Sequence, residues 1–326
     1  MVKSVRSARV GAVLGLIGLC MGCDSLWTPF LMERETVREM GIPDGSMVQD
    51  MAVGSDGGAV ADMTTGEVRP NLVLIRKGSF QMGSPTTESG RDSSSEQDHP
   101  VTLTTDFWMA ESEVTQRQYR NLMGSSPSYF TGDDLPVETV SWYNAVAYCN
   151  ALSIKEGLQP CYQINGTTVG WSDGLKCTGY RLQTEAEWEY AANPASGSRT
   201  VYAGSDTVDG VAWHNGNSGS TTHAVKTKTA NGRGLYDLSG NVWEWVWDSY
   251  QSNYEALPAT DPIGPSTAAY RVIRGGSWLY SAENARVARR SGNTPTDRYG
   301  SLGFRFVRSI TLNNFTLSKG EARNRV

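Results

Sequence analysis

The chain has 326 residues, enough for one large domain or two ordinary ones. Its apolar fraction of 39%, with 10 Trp and 14 Tyr, permits a core built on rings, and its 35 Gly favour loops and turns over long helices. A net charge of −5 argues against nucleic acid as a partner.

Lys3, Arg6 and Arg9 precede an apolar run from Val10 to Gly22 that is too short and wrongly flanked to span a membrane. Residues 1–22 therefore read as a signal peptide. The run ends in Leu19-Cys20-Met21-Gly22-Cys23, which resembles a lipobox with Cys23 as the lipidated residue, although Cys20 stands where Leu or Val is usual. An ordinary cleaved signal peptide is the other reading. Either way the folded part is expected outside the cytoplasm, where disulfides persist. With the lipid, the chain is expected to be anchored to the bacterial cell envelope. Residues 23–70 follow as a tether. Gly41 to Arg69 contains no aromatic residue and cannot offset its own ordering entropy, so disorder is predicted, with a short helix over residues 26–40.

The folded domain is predicted over residues 71–310. Asn71 to Ile75 reads as a strand, followed by Phe80-Gln81-Met82-Gly83, a polar and acidic surface loop over 84–98, and a second alternating segment from His99. Thr115 and Gln118 form a capping box that opens a short helix with Tyr119 and Leu122 inward. Ser141 caps a longer helix whose buried stripe is Trp142, Ala145, Val146, Cys149 and Leu152. Cys149 on that face reads as a buried free thiol. Cys161 and Cys177 bracket a polar, Gly-rich loop, and a bridge between them would stabilise by about 3 kcal/mol. Thr184 and Glu187 open a third helix with Trp188, Ala191 and Ala192 on its apolar face, ended by Asn193-Pro194. Short strands and loops are expected from Ser196 to Arg233.

Gly240-Asn241 is a turn signal, because both residues tolerate positive φ. After it, Trp243, Trp245 and Trp247 share one face of a strand, with Val242, Glu244, Val246 and Asp248 on the other. From the residues alone, core packing outranks a calcium loop using Asp237 and Glu244, since an EF-hand's spacing is missing. Tyr270 to Trp278 reads as a strand entering a glycine turn, Gly303 to Val307 as the last strand, and 311–326 as a loose tail. Arg271, Arg274, Arg286, Arg289, Arg290, Arg298, Arg305 and Arg308 crowd the C-terminal third with only Glu283 and Asp297 near them in sequence. Pinning of loops outranks anion binding as their role.

Seven blocks in order resemble the formylglycine-generating enzyme (sulfatase-modifying factor) family. They are Phe80 to Gly83; Glu113-Val114-Thr115; Pro136-Val137 with Val140-Ser141-Trp142; Arg181 to Ala191; Gly234 to Asp237 with Gly240 to Trp245; Arg274 to Trp278; and Gly303-Phe304-Arg305. The resemblance implies an α+β, C-type-lectin-like fold rich in loops. The family oxidase converts a sulfatase cysteine to formylglycine with dioxygen and a copper(I) ion held by two cysteines just after the Gly-Gly-Ser turn. Cuprous ion is soft and wants thiolates. The matching segment here, Trp278 to Arg286, has no cysteine, and none follows Cys177; Tyr280 and Ala285 correspond roughly to the missing pair. No copper is therefore expected. The family's ergothioneine sulfoxide synthases hold iron on histidines supplied with an added helical-bundle domain, whereas this chain has three His in all.

The resemblance also implies a structural calcium on Asp237, Glu244 and the backbone carbonyls of Gly240 and Val242, and this raises the calcium reading above core packing alone. The functional expectation is a non-catalytic binding or scaffolding module, its expected partner an envelope protein, peptide or glycan, with the protein itself a monomer. The groove is expected to be lined by Trp278, Tyr280, Arg286 and Arg289. An active oxidase, or other chemistry on the same scaffold, is the competing expectation.

Overall fold

The computed structural model describes residues 72–310 apart from 196–197, 255–257 and 266–268. The expected signal peptide, Cys23, tether and C-terminal tail lie outside the described residues. Among the described residues, twelve short strands and three α-helices follow in chain order. They are β1 (Leu72–Ile75), β2 (Gly78–Met82), β3 (His99–Leu103), β4 (Phe107–Ala110), α1 (Gln116–Met123), α2 (Trp142–Lys155), β5 (Gln163–Asn165), β6 (Thr168–Gly170), β7 (Tyr180–Arg181), α3 (Glu185–Ala192), β8 (Trp243–Ser249), β9 (Arg271–Arg274), β10 (Arg290–Asn293), β11 (Leu302–Phe304) and β12 (Val307–Ser309). Among the described residues no helix is long and apolar enough to cross a membrane.

Two four-stranded sheets carry the fold, in the orders β1-β4-β12-β7 and β10-β9-β8-β11, with β2–β3 and β5–β6 as separate hairpins. All pairs are antiparallel except β11 with β8. The mixed α+β fold with few helices and many loops is the one expected. One strand reading is corrected. Gly303 to Val307 is not a single strand, because the chain leaves the β8 sheet after Phe304 and joins the β4 sheet at Val307. Arg305 sits at this crossing, fully buried. The segment Ser196 to Arg233 also differs, contributing isolated bridges rather than strands among its described residues.

All three helix starts form where the sequence places them. Thr115, Ser141 and Thr184 each accept from the backbone N–H three residues on, and Gln118, Asn144 and Glu187 reach back to the cap backbone. α2 buries its predicted stripe, and Cys149 there is a buried free thiol. Cys161 and Cys177 are bridged, with Cα atoms 5.6 Å apart. The aromatic core gathers α2 with Trp243, Trp245, Phe304 and Phe306, and a second cluster packs Trp188 against Ile75, Met109, Val246, Val272 and Val307.

α3 departs from the amphipathic expectation: all eight of its residues are buried, three glutamates included. Their partners come from the arginine-rich third of the chain and from β7. Arg181 grips Glu187 with two bonds of 2.7 Å. Arg290 grips Glu185 at 2.8 and 2.6 Å. Arg274 pairs with Glu189 and also donates to the carbonyls of Val287, Ala288 and Arg289. The loop 84–98 is likewise not all surface: Ser84, Ser95 and Glu96 are buried.

Candidate functional site

The stretch from Asp237 to Glu244 turns as its residues predict. Asp237, Gly240 and Asn241 have φ of 57°, 83° and 58°. At Gly240 a Cβ would fall 2.3 Å from the Trp213 carbonyl oxygen, so only glycine fits. Asn241 donates from Nδ2 to Glu113 at 2.7 Å, and the Val242 N–H donates to the other Glu113 oxygen at 3.0 Å. Asp237 accepts the Lys226 backbone N–H at 2.8 Å. Glu244 accepts from Arg305 Nε and Nη2 at 2.8 and 2.6 Å, and from the Trp188 indole N–H at 2.9 Å.

Three carboxylates thus share a buried region with one buried guanidinium. Burial, followed by the charges of Asp237 and Glu244, pushes Glu113 well above the ordinary carboxylate range. Burial likewise raises Asp237 to about 6. Carboxylate and carbonyl oxygens are the hard donors that a cation such as calcium prefers. An ion on the expected ligands, Asp237, Glu244 and the Gly240 and Val242 carbonyls, would have to share Glu244 with Arg305, which bonds both of its oxygens. Among the described residues no three His, Cys, Asp or Glu side chains form a metal cluster of their own. Sequence reasoning missed Glu113, whose signal was an acid placed directly before the apolar Val114.

After β9, Gly275 and Gly276 take positive φ, and at Gly276 a Cβ would lie 2.7 Å from the Asn284 backbone. This close turn projects the following loop. Trp278 is half-buried, with its indole N–H on the Gly300 carbonyl at 2.8 Å and its ring edge-on to Phe130 at 5.3 Å. Phe130 in turn meets Tyr129 at 5.0 Å. Around these anchors Tyr129, Tyr280, Tyr299 and Leu279 are 78%, 43%, 51% and 51% exposed. Tyr280 stands edge-on to Trp243 at 6.0 Å. Ala285, the other position matching a family thiolate, is buried, and its carbonyl accepts from Ser239.

The structure brings Trp278 and Tyr280 to one face and adds Tyr129 and Tyr299, which the sequence left unassigned. Arg286 is corrected: it is 1% exposed and does not line a groove. It donates to Glu96 at 2.9 and 2.8 Å, to Glu88 at 2.7 Å, and to the carbonyls of Gly90 and Glu283. Arg289 is about one-third exposed and stands 3.7 Å from Asp92, beside the same acidic loop. The histidines are also committed internally. His214 contacts Asp209 at 2.9 Å, His223 stacks on Trp213 with centroids 3.7 Å apart, and His99 contacts the Gln97 carbonyl and Tyr254.

Residues 59–310 match the family described as "Sulfatase-modifying factor enzyme 1-like domain". The chain is 35% identical over 293 residues to the chaperone protein LppX of Paenibacillus barcinonensis, covering 79% of this chain and 97% of that protein. It is 39% identical over 164 residues to the formylglycine-generating enzyme of Streptomyces coelicolor, covering 44% of this chain and 52% of the enzyme. Among solved structures, Treponema denticola variable protein 1 superposes with a TM-score of 0.67 at 36% identity, over 75% of this chain and 97% of that one. PvdO from Pseudomonas aeruginosa does so with a TM-score of 0.59 at 25% identity, over 74% and 95%. From the matched residues and these relatives together, the chain belongs to the sulfatase-modifying factor enzyme 1-like family.

Proposed function

We propose that this protein is an exported lipoprotein whose family domain binds polypeptide segments in the cell envelope and performs no cysteine oxidation. The observation that carries the reading is the face around Trp278: Tyr280 stands exposed at one of the two positions that correspond roughly to the family oxidase's metal-binding sulfurs, with Tyr129 and Tyr299 exposed around it. Tyrosine offers a large ring and a polar tip at low entropic cost, which suits capture of extended chains. Trp278, locked by Phe130 and the Gly300 carbonyl, holds the face rigid. The similarity to a protein named as a chaperone supports a polypeptide client over a glycan. Cys23 is the proposed lipid attachment. Calcium on Asp237, Gly240, Val242 and Glu244 has a structural role here, closing the turn beneath the loop.

Three assays test the proposal. Incubation with a Cys-x-Pro-x-Arg peptide, copper(I) and oxygen should yield no aldehyde; aldehyde formation would establish the oxidase instead. Titration with a reduced, carboxymethylated polypeptide that cannot fold should show saturable binding, and absence of binding removes the client reading. Adding calcium after chelation should release heat and raise the melting temperature, and no change in either argues against the ion.

A further inference from the structure

Asn-Gly occurs three times in the chain, at 165–166, 215–216 and 231–232. The dipeptide carries a reaction of its own, because the glycine backbone nitrogen, unhindered by a Cβ, can attack Cγ of the preceding asparagine. The fold decides where that attack is free to occur. At Asn231 the amide is locked. This residue is 5% exposed, its Nδ2 donates to the Ala191 and Ala192 carbonyls at 2.8 and 3.3 Å, and its Oδ1 accepts the Arg233 and Leu235 N–H groups at 3.0 and 3.1 Å. Asn215 is exposed, but the nitrogens before and after its Cα are held. Its own N–H donates to the Tyr280 carbonyl at 3.0 Å, and the Gly216 N–H donates to His214 Nδ1 at 3.2 Å.

Asn165 differs in both respects. It ends β5 and pairs with Thr168 of β6, so Gly166 and Thr167 form the two-residue tip of the hairpin, with Gly166 at φ 57°. Asn165, Gly166, Thr167 and Thr168 are all exposed. Neither the Asn165 side chain nor the Gly166 N–H has a hydrogen-bond partner among the described residues. The hairpin is a separate sheet of two three-residue strands, and every residue of β5 is exposed. A strand pair of that size is marginal alone, so its tip opens at small cost and lets the backbone turn to bring nitrogen and Cγ together.

We propose that Asn165 is a site of self-modification, converting to aspartate and isoaspartate in the folded protein. The Gly166 nitrogen bonds to Asn165 Cγ and gives up its proton as the side-chain amide nitrogen leaves as ammonia, which closes a cyclic imide. Water then adds to either imide carbonyl and breaks that carbonyl's bond to the Gly166 nitrogen. Opening at the side-chain carbonyl gives aspartate, and opening at the backbone carbonyl gives isoaspartate. Water is the only co-reactant, and nothing is oxidised or reduced. Either product places a new carboxylate at the hairpin tip, while the Cys161–Cys177 bridge holds the base of this loop.

Peptide mapping by mass spectrometry, after the full chain is incubated in mildly alkaline heavy-oxygen water, tests this independently of the tyrosine face. In the folded chain Asn165 should take up the label at least about tenfold faster than Asn215 or Asn231, which must first break their hydrogen bonds. In the reduced chain held in guanidinium the three rates should converge. Gly166→Ala, whose Cβ would meet nothing within 4 Å, should slow Asn165 severalfold and leave the other two sites unchanged. If Gly166→Ala lowers the melting temperature, the folded-against-denatured comparison of the unaltered chain carries the test. Equal rates at the three sites in the folded chain, a faster Asn215 or Asn231, or an Asn165 that reacts only after denaturation overturns the proposal. So does an advantage of Asn165 that persists undiminished in guanidinium.

Discussion

Charged side chains beneath α3 and ring side chains around Trp278 come from neighbouring parts of the chain yet are used in opposite ways. Arg274, Arg286, Arg290 and Arg305 are at most 3% exposed and each grips a buried glutamate. Tyr129, Tyr280 and Tyr299 are exposed, Tyr129 and Tyr280 resting edge-on against Phe130 and Trp243. The first region spends desolvation energy to close loops that short strands cannot close. A guanidinium has five donors in a rigid fork, so one Arg274 ties three carbonyls and a carboxylate from separate segments. The second region contributes little to closure, which leaves it available for a partner.

If this contrast holds, breaking it should be costly on one side and cheap on the other. Arg274→Met strands Glu189 as an uncompensated buried charge and should destabilise by about 3–5 kcal/mol in chemical denaturation. The double variant Arg274→Met/Glu189→Leu should recover part of that loss, and no recovery would mean that the carbonyl contacts, not the charge pair, dominate.

Asp248 sharpens the point with pH. Both its oxygens accept backbone N–H groups, from Glu185 at 2.8 Å and Gly264 at 2.6 Å, yet burial raises it from 3.8 to about 7. Between those values the folded state holds a proton that the unfolded chain has released. This group's contribution therefore falls as pH rises, by roughly 3 kcal/mol between about pH 5 and pH 8. Asp248→Asn should flatten that part of the stability profile, and an unchanged slope would assign the titration elsewhere. Opening the Cys161–Cys177 bridge by replacing both residues with Ser should cost about 3 kcal/mol, read as a shift in denaturation midpoint. Tyr280→Ser and Tyr299→Ser are the smallest: each should change stability by no more than about 0.5 kcal/mol while weakening polypeptide binding.

Local signals explain what was legible. Helix starts at Thr115, Ser141 and Thr184, the Gly240-Asn241 turn and the Cys161–Cys177 pair each depend on residues close in sequence or on a bridge between two cysteines of few. The pairing of Glu185 and Glu189 was not legible, because periodicity reads a charged helix face as solvated while their arginine partners lie 105 and 85 residues away. The same non-locality hid Glu96, whose partner Arg286 is 190 residues on, and so turned a buried strut into an expected groove residue. Tyr129 and Tyr299 were invisible for a related reason, since only the fold carries their loops to Trp278.

We propose that the tyrosine face, and not a metal centre, does the work of this domain. The most direct measurement is fluorescence titration of the reduced, carboxymethylated polypeptide against the full chain and against Tyr129→Ser/Tyr280→Ser/Tyr299→Ser, each also checked by thermal melting. The account predicts an unchanged melting temperature and an affinity lower by about tenfold or more in the triple variant. Equal affinity in a folded triple variant would contradict it.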